Sequence, residues 1–286
     1  MTRPFIAACV QMRTGRDPAV NRDFVVARID EAADAGAAFV QTPEMTNILE
    51  RDRAQLFDKV RTEEQDETLA AVQEAARRRR VTVQIGSLAV RSGDKLANRA
   101  ILVGPDGAVT ARYDKIHLFD VDLPNGESWR ESRTYAGGER AVAVETDLGR
   151  LGLTICYDVR FASLYRALAE AGATILTAPA CFTRQTGEAH WHVLHRARAI
   201  ETGSFMISAA QGGRHEDGRE TFGHSLIVDP WGRVLAEGGT EPGLVMAEID
   251  PALVDDARGR IPALRNARPF RIEVVSVVPR TLAAAE

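Results

Sequence analysis

Cysteine is scarce in this sequence, with three in 286 residues: Cys9, Cys156 and Cys181. An odd, sparse set excludes a disulfide-stapled fold and makes a reducing cytoplasm the expected compartment. Long apolar runs are missing too. The opening MTRPFIAACVQM holds too short a hydrophobic segment for a secretory signal, and no stretch is long enough to cross a bilayer. Positive charge is not in excess: 36 Lys and Arg against 40 Asp and Glu leave a net charge of −4, which argues against nucleic-acid and anionic-membrane partners. The one basic run, residues 77–80, closes an expected helix over 63–80, where cations complement the helix dipole, and no aromatics interleave with it. A metal-ligand pattern is also lacking. His190, His192 and His195 lie on one expected helix, but only the last two share a face at i,i+3 spacing and no further ligands follow close by, so no metal is expected.

What the chain does have is an ordinary globular balance, 45% hydrophobic and 27% charged, with length enough for a large core. Residues 5–12 read as a buried strand, and 19–35 as an amphipathic helix with apolar positions at Val20, Phe24, Ala27, Ile29 and Ala32, stopped by Gly36. A strand over 37–41 ends at Thr42-Pro43-Glu44. A loop, the helix ending in the arginine run, a strand over 81–90 and a hairpin turning at GPDG complete the first half. The second half repeats this order: strand 151–155, helix 161–171, strand 174–178 ending at Pro179, helix 188–201, strand 204–210, and a hairpin turning at DPWG. The two hairpins, AILVGPDGAVTA and SLIVDPWGRVLA, are alike in letters. This self-similarity predicts one α/β domain over residues 1–280, a four-layer α-β-β-α sandwich with pseudo-twofold internal symmetry, followed by a frayed tail at 281–286. A late extended run over 272–278 suggests packing on a second copy of the chain, a homodimer or larger assembly.

Chemistry-bearing residues gather at strand ends, where open α/β sheets place their ligands. Cys156 ends the run RLGLTIC, and a lone cysteine there is by default a buried structural thiol. Glu44 follows the strand and proline of the first half. Between them, the loop YDKIHLFD sets Lys115 and His117 among apolar neighbours, an unusual place for a lysine merely to be solvated. From residue types alone two mechanisms stay open: a thiol served by a carboxylate and a cation, or a Cys156 paired with His117 or His224. Asp158 and Arg160 read as a charge pair fixing the turn after the thiol. Cys181 occupies in the second half the place of Glu44 in the first, and reads as a non-nucleophilic pocket residue.

TPE at 42–44, DKIHLFD at 114–120 and GLTICYDVRF at 152–161 resemble the three signatures of the nitrilase superfamily of carbon-nitrogen hydrolases, in that family's order. The likeness continues through TGEAHWHVLHRARAIE, GHS and DPWG. It implies the same four-layer sandwich, homo-oligomers, no metal and no organic cofactor, and a Glu-Lys-Cys triad matching Glu44, Lys115 and Cys156. A further family glutamate best matches Glu131 of WRES, with Glu127 of GES as the competitor. The resemblance assigns to Glu44 the general base and acid, to Lys115 and the backbone N–H of Tyr157 the oxyanion, and to Cys156 an acyl-thioester. Burial is expected to raise the pKa of Glu44. The run 209–232 is similar to the small-amidase branch, on the side of the amidases of deaminated glutathione rather than the omega-amidases. That implies a small anionic amide substrate, and Arg184, His190, Arg214, His215 and Cys181 are the candidates to bind it. The opposing reading is a binding protein on an inherited enzyme fold, against which the intact triad speaks.

Overall fold

The computed structural model describes residues 3–275. The chain runs β1 (Phe5–Gln11), α1 (Pro18–Asp34), β2 (Ala37–Gln41), α2 (Arg53–Lys59), α3 (Glu67–Arg79), β3 (Thr82–Ser92), β4 (Lys95–Val103) and β5 (Val109–Asp114). A ribbon of β6 (Asp120–Asp122) and β7 (Ser128–Arg130) and a short β8 (Tyr135–Ala136) lead into β9 (Val142–Thr146) and β10 (Gly149–Leu153). Then follow α4 (Ala162–Glu170), β11 (Ile175–Thr177), α5 (Arg184–Thr202), β12 (Phe205–Ser208), and a second ribbon, β13 (Gly212–Arg214) with β14 (Glu220–Phe222). The described part closes with β15 (Leu226–Val228), β16 (Val234–Glu237), β17 (Gly243–Ile249), α6 (Ala252–Arg260) and α7 (Ala263–Asn266).

Two sheets carry the internal repeat. One has the order β17-β1-β2-β3-β4-β5, with β8 beside β4; the other is β9-β10-β11-β12-β15-β16 read from its opposite edge. Pairing directions match strand for strand. β1-β2-β3 and β10-β11-β12 are parallel, the hairpin strands that follow are antiparallel, and β17 and β9 each cap their sheet antiparallel to its first strand. β17 and β9 were not foreseen. β17 comes from the far end of the chain to pair with β1, so the last strand of the second half completes the sheet of the first.

Alternation along β1 explains the layering. Ala7 and Cys9 point into a core shared with Leu151, Ile175 and Phe205 of the other sheet, whereas Ala8 and Val10 pack with Val25 and Ile29 of α1 and Val72 of α3. Strands covered on both faces read as continuous apolar runs, as these do. Polar bonds cross between the sheets: Gln84 Nε2 donates to Thr177 Oγ1 at 3.1 Å, and Ala209 N to Gln41 Oε1 at 2.6 Å. Helices α4 and α5 cover the second sheet, giving the order helix, sheet, sheet, helix.

Local departures have local causes. The buried stripe of α1 is Asn21, Val25, Ile29 and Ala32, while Val20, expected inside, is exposed, because a 3.6-residue period through Ile29 selects position 21 rather than 20. The helix expected over 63–80 is broken: Glu63–Gln65 is a 3₁₀ turn and Asp66 caps α3 by accepting from Leu69 N at 2.9 Å. The arginine run at its end is paired with acidic residues of α1 and α3: Arg78 with Asp30, Arg79 with Asp34, Arg77 with Glu74. Residues 272–275 form no strand. The rest of that expected run and the tail at 281–286 lie outside the described residues.

Candidate active site

Cys156 does not end a strand in the simple way its sequence suggests. β10 stops at Leu153, and Cys156 opens a 3₁₀ turn, Cys156–Arg160, with φ of 50°. That left-handed conformation is costly for a residue with a Cβ and is held from outside. Cys156 N donates to the Pro179 carbonyl at 2.9 Å. The buried Asp158 carboxylate accepts from Ile155 N at 2.9 Å, Tyr113 OH at 2.6 Å, and His117 N and Nδ1 at 3.1 and 2.7 Å. One carboxylate thus ties the thiol's turn to the lysine loop. The expected Asp158–Arg160 pair does not form. Arg160 instead lies over the rings of Tyr157 and Phe182, because Asp158 is fully engaged with the other side of the turn.

Glu44 sits in the bend after β2, the counterpart of the Pro179–Cys181 bend after β11, and the next residue, Met45, also has positive φ, 58°. Gly86 lets this bend approach the opposite one. A Cβ there would overlap the Thr42 carbonyl oxygen and lie 2.5 Å from Pro179 Cβ, so β3 passes both prolines only as glycine. Lys115 Nζ meets Glu44 Oε1 at 2.7 Å and Glu131 Oε2 at 2.9 Å. Asn98 Nδ2 donates to both carboxylates, at 2.8 and 2.9 Å, and its backbone carbonyl accepts from Lys115 N at 3.0 Å. Cys181 N donates to Glu44 Oε2 at 2.9 Å, and Phe119 N to Glu131 Oε2 at 2.7 Å. Lys115 is 2%, Glu44 3% and Cys156 6% exposed, so the three groups meet out of bulk water.

These residues form the floor of a cavity of about 220 Å³. Leu49, Phe119, Tyr135, Tyr157 and Phe182 supply apolar wall, and five arginines line it: Arg51, Arg53, Arg130, Arg160 and Arg219. Arg51 and Arg219 lie over Trp129, with guanidinium carbons 4.9 and 4.7 Å from the ring centroid.

Residues 6–259 match the carbon-nitrogen hydrolase family. The chain is a carbon-nitrogen hydrolase. It is 39% identical over 269 residues to a deaminated glutathione amidase of Synechocystis sp., an alignment covering 92% of this chain and 98% of that one. Among solved structures it superposes on the C. elegans NitFhit protein with a TM-score of 0.88 and 33% identity, over 93% of this chain and 66% of that chain. A glutamate-to-glutamine mutant of the amidase from Nesterenkonia sp. AN1, 26% identical with a TM-score of 0.75 over 90% of this chain and 98% of that one, shows the result of Michael addition of acrylamide at the active-site cysteine.

The hydrolase brings together Glu44, Lys115, Glu131 and Cys156. Glu127 is exposed, accepts from Trp129 Nε1 and does not line the cavity. Of the residues expected to hold substrate, only Cys181 lines it. Arg184 is exposed at the start of α5 and paired with Glu188, and Arg214 is exposed on the β13–β14 ribbon. His190 reaches only the back of Arg160, with Nδ1 3.3 Å from its guanidinium. His215 is buried elsewhere, its ring nitrogens engaged with the Thr14 carbonyl and Thr221 hydroxyl. The cavity's arginines come instead from the 51–53 segment, β7, the cysteine turn and the residue before β14. Nor does either histidine serve Cys156: His117 is stacked on Phe161 at 3.5 Å and bound to Asp158, and His224 is bound to Glu237.

Electrostatics in this hydrolase also differ from the sequence expectation for Glu44. Burial pushes its carboxyl up, but the Lys115 charge and hydrogen bonds from Lys115, Cys156 and Asn98 outweigh it, and its pKa lies below the ordinary value. Burial pulls Lys115 down, and Glu131 and Glu44 more than reverse that, holding it well above its ordinary value. Burial and the Glu44 charge push the Cys156 thiol well up, against the pull of Lys115. The resting set is therefore carboxylate, ammonium and neutral thiol, with the carboxylate beside the thiol.

Proposed function

We propose that this carbon-nitrogen hydrolase cleaves the amide of deaminated glutathione, releasing 2-oxoglutarate and cysteinylglycine. The observation that carries the reading is a cavity whose floor holds a buried carboxylate, ammonium and thiol, and whose wall offers Arg51 and Arg160 with no salt bridge among the described residues. A substrate with a carboxylate at each end suits such arginines, which bind carboxylates through a planar fork. The substrate of the Synechocystis relative supports the same choice.

In the proposed course Cys156 Sγ attacks the amide carbonyl carbon while its proton passes to Glu44. Lys115 and the N–H of Tyr157, the first donor of the turn beyond the nucleophile, receive the oxyanion. Donors of this kind are each worth about 3 to 4 kcal/mol of barrier. Collapse breaks the C–N bond, Glu44 returns the proton to the leaving amine, and a thioester remains on Cys156. Water then attacks with its proton going to Glu44, and the acid departs as the thiol is restored. Glu131 and Asn98 hold Lys115 in place.

Two broader parts of the proposal rest on other features. Three unpaired cysteines suit a reducing cytoplasm, and no helix among the described residues is long and apolar enough to cross a membrane. One domain with a shared core is assembled as a homodimer through the exposed apolar side chains Val193 and Ile200 of α5.

The test is hydrolysis of a panel: deaminated glutathione, 2-oxoglutaramate, N-carbamoyl amino acids and simple nitriles. The expected result is the highest kcat/KM for deaminated glutathione. Efficient turnover of 2-oxoglutaramate alone would replace this reading with an omega-amidase.

A further inference from the structure

Outside the cavity, three side chains from separate elements converge on one point. His192 Nε2 on α5 lies 2.8 Å, and His224 Nδ1 2.7 Å, from the same oxygen of Glu237 at the end of β16. The three ligand-capable atoms all fall within 4.8 Å of one another. We propose that His192, His224 and Glu237 are a binding site for a late first-row divalent cation of the zinc class, separate from catalysis.

The histidines are built in rather than loosely placed. His224 has φ of 56°, a conformation that is rare outside glycine and must be imposed. Its backbone is clamped on both sides: its N–H donates to the Gly239 carbonyl at 2.8 Å, and its carbonyl accepts from Trp191 Nε1 of α5 at 2.8 Å. Its ring is stacked on Phe222 at 4.2 Å, and the edge of the same phenyl ring faces His192 at 6.0 Å. Phe222 therefore orients both imidazoles towards Glu237.

The donor set, two imidazole nitrogens and one carboxylate oxygen, is that of many three-ligand zinc sites, with remaining positions left to water. Bonds of about 2.0 to 2.2 Å require the donor atoms to stand roughly 3.3 Å apart, so the carboxylate must back away from the rings slightly. All three side chains are partly exposed, which permits that movement. Each ring nitrogen now facing Glu237 carries the proton it donates. On binding, the proton moves to the other ring nitrogen, Nδ1 of His192 and Nε2 of His224, and the freed lone pair takes the metal. The ion would fasten α5 to the edge strand β16 and the loop before β15, so its binding raises stability rather than turnover.

The experiment is a cobalt(II) titration of the Cys156→Ala/Cys181→Ala protein, which removes the cavity thiols as competing ligands, read by visible ligand-field absorption and by zinc competition. One saturable equivalent is expected, with affinity reduced at least about tenfold by His192→Ala and by Glu237→Gln. Zinc is expected to raise the melting temperature of the parent and to leave that of Glu237→Gln unchanged. Glu237→Gln is nearly isosteric, so it serves if His192→Ala fails to fold. No saturable binding, or binding that both substitutions leave intact, overturns the site.

Discussion

Lys115 lies between two carboxylates, and in the proposed course its removal acts on both the oxyanion and the proton acceptor. Lys115→Met is expected to lower kcat by at least about 10²- to 10³-fold, the scale of one oxyanion donor. Cys156→Ala is expected to reduce turnover to background. His117→Ala, which removes only a partner of Asp158 and the stacking on Phe161, is expected to cost far less. Steady-state rates on one amide compare the three, and a larger loss for His117→Ala than for Lys115→Met would return the Cys-His mechanism. Arg51 and Arg160 line the cavity without an acidic partner among the described residues, and the proposed function gives them the substrate's carboxylates. Their replacement by Gln is expected to raise KM about tenfold or more for a dicarboxylate amide and little for a neutral amide, with kcat nearly kept.

At the level of elements, the site depends on two bends from two halves meeting at Gly86. Gly86→Ala places a methyl against the Thr42 carbonyl and Pro179, backbone and ring that cannot swing aside. It is expected to destabilise the fold by about 3 kcal/mol, visible as a lower melting temperature, and to impair activity by parting Glu44 from Cys156. Asp158 joins the cysteine turn to the lysine loop by accepting from four donors. Asp158→Asn puts a donor where acceptors are needed. The expected outcome is a loss in kcat greater than in KM with the cavity's arginines untouched, checked by substrate titration.

Across the whole molecule, buried titratable groups set the pH range of stability. His195 is held neutral by burial, its pKa drawn from 6.5 to about 3; a depressed folded value means its contribution is present above 6.5 and is lost as pH falls towards 3. Glu44, below its ordinary 4.5, adds a loss at lower pH still. Cys9, raised by burial from 9.0 to about 12, contributes below 9.0 and loses that contribution as pH rises towards 12, and Lys115 follows above 10.5. Urea unfolding is thus expected to give greatest stability between 6.5 and 9.0, with His195→Met flattening the acid limb above 4.5. Much of this molecule was legible in advance. The repeated order of strands and helices and the paired hairpins are carried by local patterns, since period and turn chemistry act within a few residues, and the coincidence of TPE, the lysine loop and the cysteine turn was legible through the family resemblance. Glu131 over Glu127 came only through the resemblance to the nitrilase superfamily, not from residue pattern. What the linear order could not convey is which side chains meet across the fold. Asn98 lies mid-strand and gave no signal, yet it touches both carboxylates. The arginines expected around the thiol, Arg184 and Arg214, face solvent, while those that line the cavity are scattered from 51 to 219. The net pKa of Glu44 went down rather than up because a buried ammonium sits 2.7 Å away, a distance set by packing. The sequence by itself determined the elements and the chemical kinds at the site; the tertiary structure alone decided their partners, because contact between residues far apart in the chain depends on how two sheets close on one core.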